Sequence, residues 1–191
     1  MTASRKPRRA NSQGFIPTKN GQFNMRAPVI RKMPYLRREE RMALVLSDTP
    51  LRSVAKKFGV DHTVVLRWRK CLNALSKERP SIWEEFRFSS STGELANLFY
   101  KRGGNYLRLK FDLTKKAADG LLVALAIYGY LPVSREQYMI NAVSSKVHQR
   151  SLANEERRKM VKSVIKEFGV EEITAKYVVG KAVPQMGEKS A

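Results

Sequence analysis

The twenty residues from Leu51 to Lys70, reading LRSVAKKFGVDHTVVLRWRK, restrict this chain more than any other stretch. Val54 and Phe58 stand four apart on one face of a short helix, and the small Ala55 lets a second helix cross closely above it. Gly59 follows where the chain must turn sharply, in a left-handed conformation that is cheap only for glycine. Val60 plugs the corner. Asp61 caps a new helix whose inner face carries Val65 and Trp68. Trp68 belongs in the core on this reading, and Cys71 is a small buried hydrophobe. Upstream, Leu36 to Leu46 joins a charged first turn to an apolar later part, which predicts one more helix. Ser47-Asp48-Thr49-Pro50 stops it, with Thr49 as the next N-cap and Pro50 in the first helical position.

Counted from Leu51, apolar residues fall at places four, eight, ten, fifteen and eighteen, with alanine at five and glycine at nine. Over residues 37–72 this pattern resembles the helix-turn-helix superfamily, most of all its homeodomain-like branch in transposases and site-specific recombinases. The resemblance implies a three-helix DNA-binding head over residues 35–79, with helix 61–72 entering the major groove. It implies that His62, Thr63, Leu66 and Arg67 face the bases. The Arg67 guanidinium suits guanine O6 and N7, and the Thr63 methyl suits a thymine methyl. Arg52, Lys56, Lys57, Arg69 and Lys70 are then expected on phosphates, fixing register without reading sequence.

The overall charge agrees. Among 191 residues, 37 Lys and Arg face 17 Asp and Glu, a formal charge of +20 that calls for a polyanionic partner. Residues 1–36 hold eight basic and no acidic side chains, with Pro7, Pro17, Pro28 and Pro34 breaking regular structure. Residues 1–34 therefore read as a disordered basic arm. Its Arg5, Lys6, Arg8 and Arg9 lie in a minor groove, tether phosphates, or form a nuclear import signal. A mitochondrial presequence ranks below these, because the prolines spoil the amphipathic helix it needs.

Several classes are excluded at this level. A single cysteine leaves no disulfide framework, and two histidines leave too few ligands for a structural metal site, so neither metal nor cofactor is expected. No apolar stretch follows the basic start, and the longest apolar run, 120–132, is too short to span a membrane. An intracellular protein follows, in cytoplasm or nucleoid if bacterial or phage-encoded and in the nucleus if eukaryotic.

Residues 80–183 read as an α+β domain suited to homo-oligomerisation, ahead of a frayed tail over 184–191. Tyr106–Leu113 alternates apolar and polar residues like a half-buried strand, and Gly103-Gly104 suits a hairpin turn. Glu94–Tyr100 is its partner strand or else a short helix. Such a hairpin makes a basic wing, with Lys101 and Arg102 at the tip and Arg108 and Lys110 on one face, or a small sheet packed on helices. Thr114 caps an apolar helix running to Tyr130, and Ser134-Arg135-Glu136-Gln137 opens another toward Arg150. Asn154 caps a third over Glu155–Phe168, and Val170–Val179 forms the last. The fold class is mostly α with this one short hairpin.

Phe168-Gly169-Val170 repeats Phe58-Gly59-Val60. Glu171-Glu172 would set two carboxylates against phosphates there, so a structural repeat or chance is expected rather than a second reading head. Catalysis is not expected either. After residue 80 the twelve carboxylates lie mostly on helical charged faces, and Arg102-Gly103-Gly104-Asn105 lacks the spacing of a phosphate-cradling loop. The expected function is sequence-specific binding of double-stranded DNA in transcriptional regulation, without membrane association. A viral or mobile-element factor for packaging, replication or partition is the nearest alternative. An RNA-binding ribonucleoprotein component, stacking bases on Phe99, Tyr100 and Tyr106, is the next, and a structural interaction protein the last.

Overall fold

The computed structural model describes residues 30, 32–87, 89–147 and 152–183; the arm residues Arg5, Lys6, Arg8 and Arg9 and the tail 184–191 lie outside them. The described secondary structure is entirely helical: α1 (Arg38–Leu46), α2 (Leu51–Phe58), α3 (His62–Glu78), α4 (Ile82–Arg87), α5 (Ser89–Arg102), α6 (Gly104–Lys110), α7 (Lys115–Ile127), α8 (Arg135–Val147), α9 (Asn154–Phe168) and α10 (Glu172–Ala182).

Side-chain caps set three of the helix starts. The Asp61 carboxylate accepts from the Thr63 amide at 2.8 Å and caps α3, and the Thr114 hydroxyl accepts from the Ala117 amide at 3.3 Å and caps α7. The Ser134 hydroxyl accepts from the Gln137 amide at 3.1 Å ahead of α8. Two starts differ from expectation: Ala153, not Asn154, holds the N-cap of α9, and Asn154 is its first residue. Pro50, not Thr49, holds the N-cap of α2, while the Thr49 hydroxyl accepts from Ser47 Oγ at 2.8 Å.

The first core runs from Met42 to Leu131 and is organised on α7, which is buried at nearly every position from Ala117 to Ile127. A helix apolar over so much of its circumference needs partners all round. α7 runs back along α3. At its start the Thr114 amide donates to Glu78 Oε2 at 2.9 Å, and at its end the Ile127 carbonyl accepts from Arg41 of α1 at 3.1 Å. Midway, Gly120 lies so close to α3 that a methyl group there would stand 3.0 Å from Leu75 Cβ and collide with the Cys71 carbonyl oxygen. This core ties α1–α3 to α4–α7, so the boundary expected near residue 79 does not divide it.

The expected hairpin is absent among the described residues, and with it the basic wing. Residues 104–110 are helical. Gly104 and Leu107 are buried and Phe111 is half-buried, which is the three-to-four spacing of a helix. Leu109, which a strand would have turned inward with Leu107, is 71% exposed. Gly103, at φ +83°, makes the break between α5 and α6. Glu94–Tyr100 lies within α5. Lys101 and Arg102 therefore end a helix rather than tip a hairpin. Arg108 and Lys110 lie on α6, with the Lys110 ammonium 5.6 Å from the Phe111 ring that the Arg79 guanidinium covers at 4.3 Å. That places the α6 pair at the far end of α3 from His62, about 24 Å along a seventeen-residue helix.

The second core, Met139 to Val183, belongs to α8, α9 and α10. Aromatic rings join the two cores: Tyr138 stacks on Tyr100 at 4.2 Å and meets Phe168 edge-on at 6.4 Å. Arg135 fastens the same seam. Its guanidinium donates to the carbonyls of Tyr100 and Lys101 at 3.0 Å each and of Phe168 at 2.6 Å. Burial pulls its pKa down to about 10, still far enough above neutrality to keep it charged. Among the described residues no helix is long and apolar enough to cross a membrane.

Candidate nucleic-acid interface

α1, α2 and α3 are three helices over the stretch read as the head. Val54, Ala55, Phe58, Val65 and Trp68 are all buried, and the Phe58 and Trp68 rings meet edge-on at 5.6 Å. Gly59 adopts φ +63°, ψ +36°, closing α2 and turning the chain into α3. The Lys32 side chain lies over this turn, 3.1 Å from where a methyl on Gly59 would stand, and Ile30 packs against the first core. The last part of the segment expected as an arm is thus laid against the head.

With Val65, Trp68, Leu72 and Leu75 facing inward, the opposite side of α3 is open. His62, Thr63, Leu66, Arg67 and Lys70 are all exposed and lie within about 140° of arc at 100° per residue. Asn73 and Lys77 extend the same face toward the C-terminus. Sequence reasoning stopped short of both, although the periodicity through Leu66 and Lys70 leads straight to them. α3 itself carries no carboxylate between His62 and Lys77.

The individual side chains differ in how much of their bonding capacity faces outward. Arg67 is 76% exposed, with its Nη2 3.9 Å from the Asp119 carboxylate of α7. Asp119 was not among the expected site residues, since nothing in the sequence brings α7 alongside α3 at that point. Thr63 donates its hydroxyl to Asp61 at 2.6 Å, so its methyl is the group left for an outside partner. These hydrogen bonds hold the Asp61 carboxyl below the usual range. Leu66 is 40% exposed and offers only apolar contact.

Arg52, Lys56 and Lys57 are exposed on α2, and Lys70 on α3. Arg69 departs from expectation. Its guanidinium donates to the carbonyls of Val45 at 2.7 Å and Thr49 at 2.8 Å, satisfying the end of α1 and the connection to α2. It builds the head instead of reaching outward. Trp68 and Cys71 are buried as expected, and burial pushes the Cys71 thiol pKa up, away from thiolate chemistry.

No protein-family model, curated protein or solved structure matches the chain.

Proposed function

We propose that the protein binds double-stranded DNA sequence-specifically through the exposed face of α3, and that it serves transcriptional regulation. One observation carries the reading. The helix that follows the Gly59 turn buries Val65 and Trp68 while presenting His62, Leu66, Arg67 and Lys70 to solvent on a single face. An α-helix fits the major groove, where a guanidinium can donate two hydrogen bonds to one guanine. Lys70 beside it, and Arg52, Lys56 and Lys57 on the crossing helix α2, have the charge and exposure for phosphates. The formal charge of +20 supports the same partner class.

Selection of duplexes from a random pool tests the reading. A consensus is expected, and Arg67→Ala is expected to relax it at one base pair by ~1–3 kcal/mol without changing the fold, because Arg67 is exposed. Half-site spacing in the selected duplexes reports whether two copies bind together. Equal affinity for every duplex, or preference for structured RNA, would refute it.

A further inference from the structure

The corner between α2 and α3 has a counterpart between α9 and α10. Ser163-Val164-Ile165-Lys166-Glu167-Phe168-Gly169-Val170 matches Ser53–Val60 at six of eight places, 110 residues apart. The likeness extends to conformation. Gly169 closes α9 at φ +60°, ψ +41°, against φ +63°, ψ +36° for Gly59. Glu171 takes the N-cap place of Asp61. Val164, Phe168, Ala175 and Val178 are buried where Val54, Phe58, Val65 and Trp68 are buried. α9 and α10 therefore repeat the α2–α3 corner, and with α8 they have their own core.

The two corners differ on their outer faces. At the places of His62, Thr63, Arg67 and Lys70, α10 carries Glu172, Ile173, Tyr177 and Gly180. The groups suited to base edges are gone. The helix that crosses the backbone in such units keeps two of its three cations: Lys162 and Lys166 of α9 occupy the places of Arg52 and Lys56, while Glu167 stands at that of Lys57. Arg158 extends them by one turn. Arg158, Lys162 and Lys166 are exposed, follow one another at four-residue steps of about 6 Å, and make no ion pair among the described residues. Three of the neighbouring carboxylates are paired locally, Glu155 with Lys159 at 3.0 Å, Glu167 with Lys146 at 2.5 Å and Glu172 with Lys176 at 2.7 Å; Glu156 accepts from the Ala153 amide at 3.1 Å, and Glu171 is exposed at the start of α10. Arg102, expected at a hairpin tip, stands beside this second turn, with Nη1 4.0 Å from where a methyl on Gly169 would lie.

We infer that α9 is a sequence-independent clamp on duplex DNA, holding backbone phosphates with Arg158, Lys162 and Lys166 while α3 reads the bases. The inference rests on the DNA-binding reading of α3. It divides the work between a reading helix and a gripping helix, each part of one repeated corner.

The test uses the full chain and two duplexes of equal length, one with the consensus selected by the wild type and one scrambled. Affinity is measured over a salt series for the wild type and for the combined Arg158→Gln, Lys162→Gln, Lys166→Gln variant. Glutamine keeps a high helix propensity at these exposed positions, and unchanged circular dichroism and melting verify folding. The variant is expected to bind both duplexes more weakly by the same factor, with an unchanged consensus. Its slope of log affinity on log salt should be shallower by about 3, close to one per lost phosphate contact. If the wild type selects a consensus and the variant keeps the full slope on both duplexes, the clamp is refuted and the α3 reading stands. The clamp is equally refuted if the variant changes only the oligomeric state, which would assign α8–α10 to protein contacts. If the wild type shows no salt-dependent duplex binding, the α3 reading falls and the clamp falls with it.

Discussion

Asp119 sits half-buried at the edge of the α3–α7 contact, with the exposed Arg67 guanidinium 3.9 Å away. Burial raises its pKa above the ordinary aspartate value, and Arg67 and Lys115 only partly oppose the shift. A carboxyl with a raised folded pKa contributes stability that is complete below the unfolded value, about 3.9, and is lost as pH rises through the folded value. At neutral pH ionised Asp119 is thus a net cost to the fold. Asp119→Asn is expected to raise the melting temperature at pH 7 and to leave it nearly unchanged at pH 3. A lower melting temperature at pH 7 would show that the pair with Arg67 outweighs desolvation. The burial of Val54, Phe58, Val65 and Trp68 was legible in the sequence, because helical spacing places them on facing sides of one corner. Asp119 beside Arg67 was not, since the two are far apart in the chain and only packing brings them together. Nor was Arg69, whose role depends on where the last carbonyls of α1 end up.

Between elements, the contact of α3 with α7 holds the first core, and Gly120 sets its closeness. The obstacle to a larger residue there is the backbone of Cys71, not a side chain that can rotate away. Gly120→Ala therefore forces the two helices apart, although alanine favours a helix by about 1 kcal/mol over glycine. A net loss of about 1–3 kcal/mol is expected from overpacking, measured by denaturant unfolding. A gain in stability would show that α7 can shift along α3 at little cost. Helix starts were readable wherever a side chain caps them, as at Asp61, Thr114 and Ser134. Residues 106–113 were not. Leu107, Leu109, Phe111 and Leu113 satisfy a period of two, while Gly104, Leu107 and Phe111 satisfy a helix equally well. What decides between them is the partner offered to the segment: α5 and α7 present helical surfaces, and no strand lies beside it among the described residues.

Across the whole molecule, two cores meet at a seam of Tyr100, Tyr138 and Phe168, fastened by the three carbonyl hydrogen bonds of Arg135. Arg135→Ala leaves those carbonyls without the guanidinium and opens space above Gly103. Hydrogen exchange is expected to accelerate in α8–α10 well before α1–α7, because the second core is the smaller of the two. Uniform acceleration along the chain would show that the cores unfold as one. The mainly helical composition and most helix positions could be read residue by residue, because periodicity and caps are local. The division into cores could not, because it depends on α7 filling the space behind α3.

α3 belongs at once to the head and to the centre of the molecule. Its first turns carry the outward side chains, and its last turns are packed on α7 and bonded to Thr114. The head is consequently no tethered module that can swivel on a linker. α3 acts as a stiff lever, so a torque applied near His62 reaches Glu78 without an intervening joint, and the interior feels directly whatever the outer end grips.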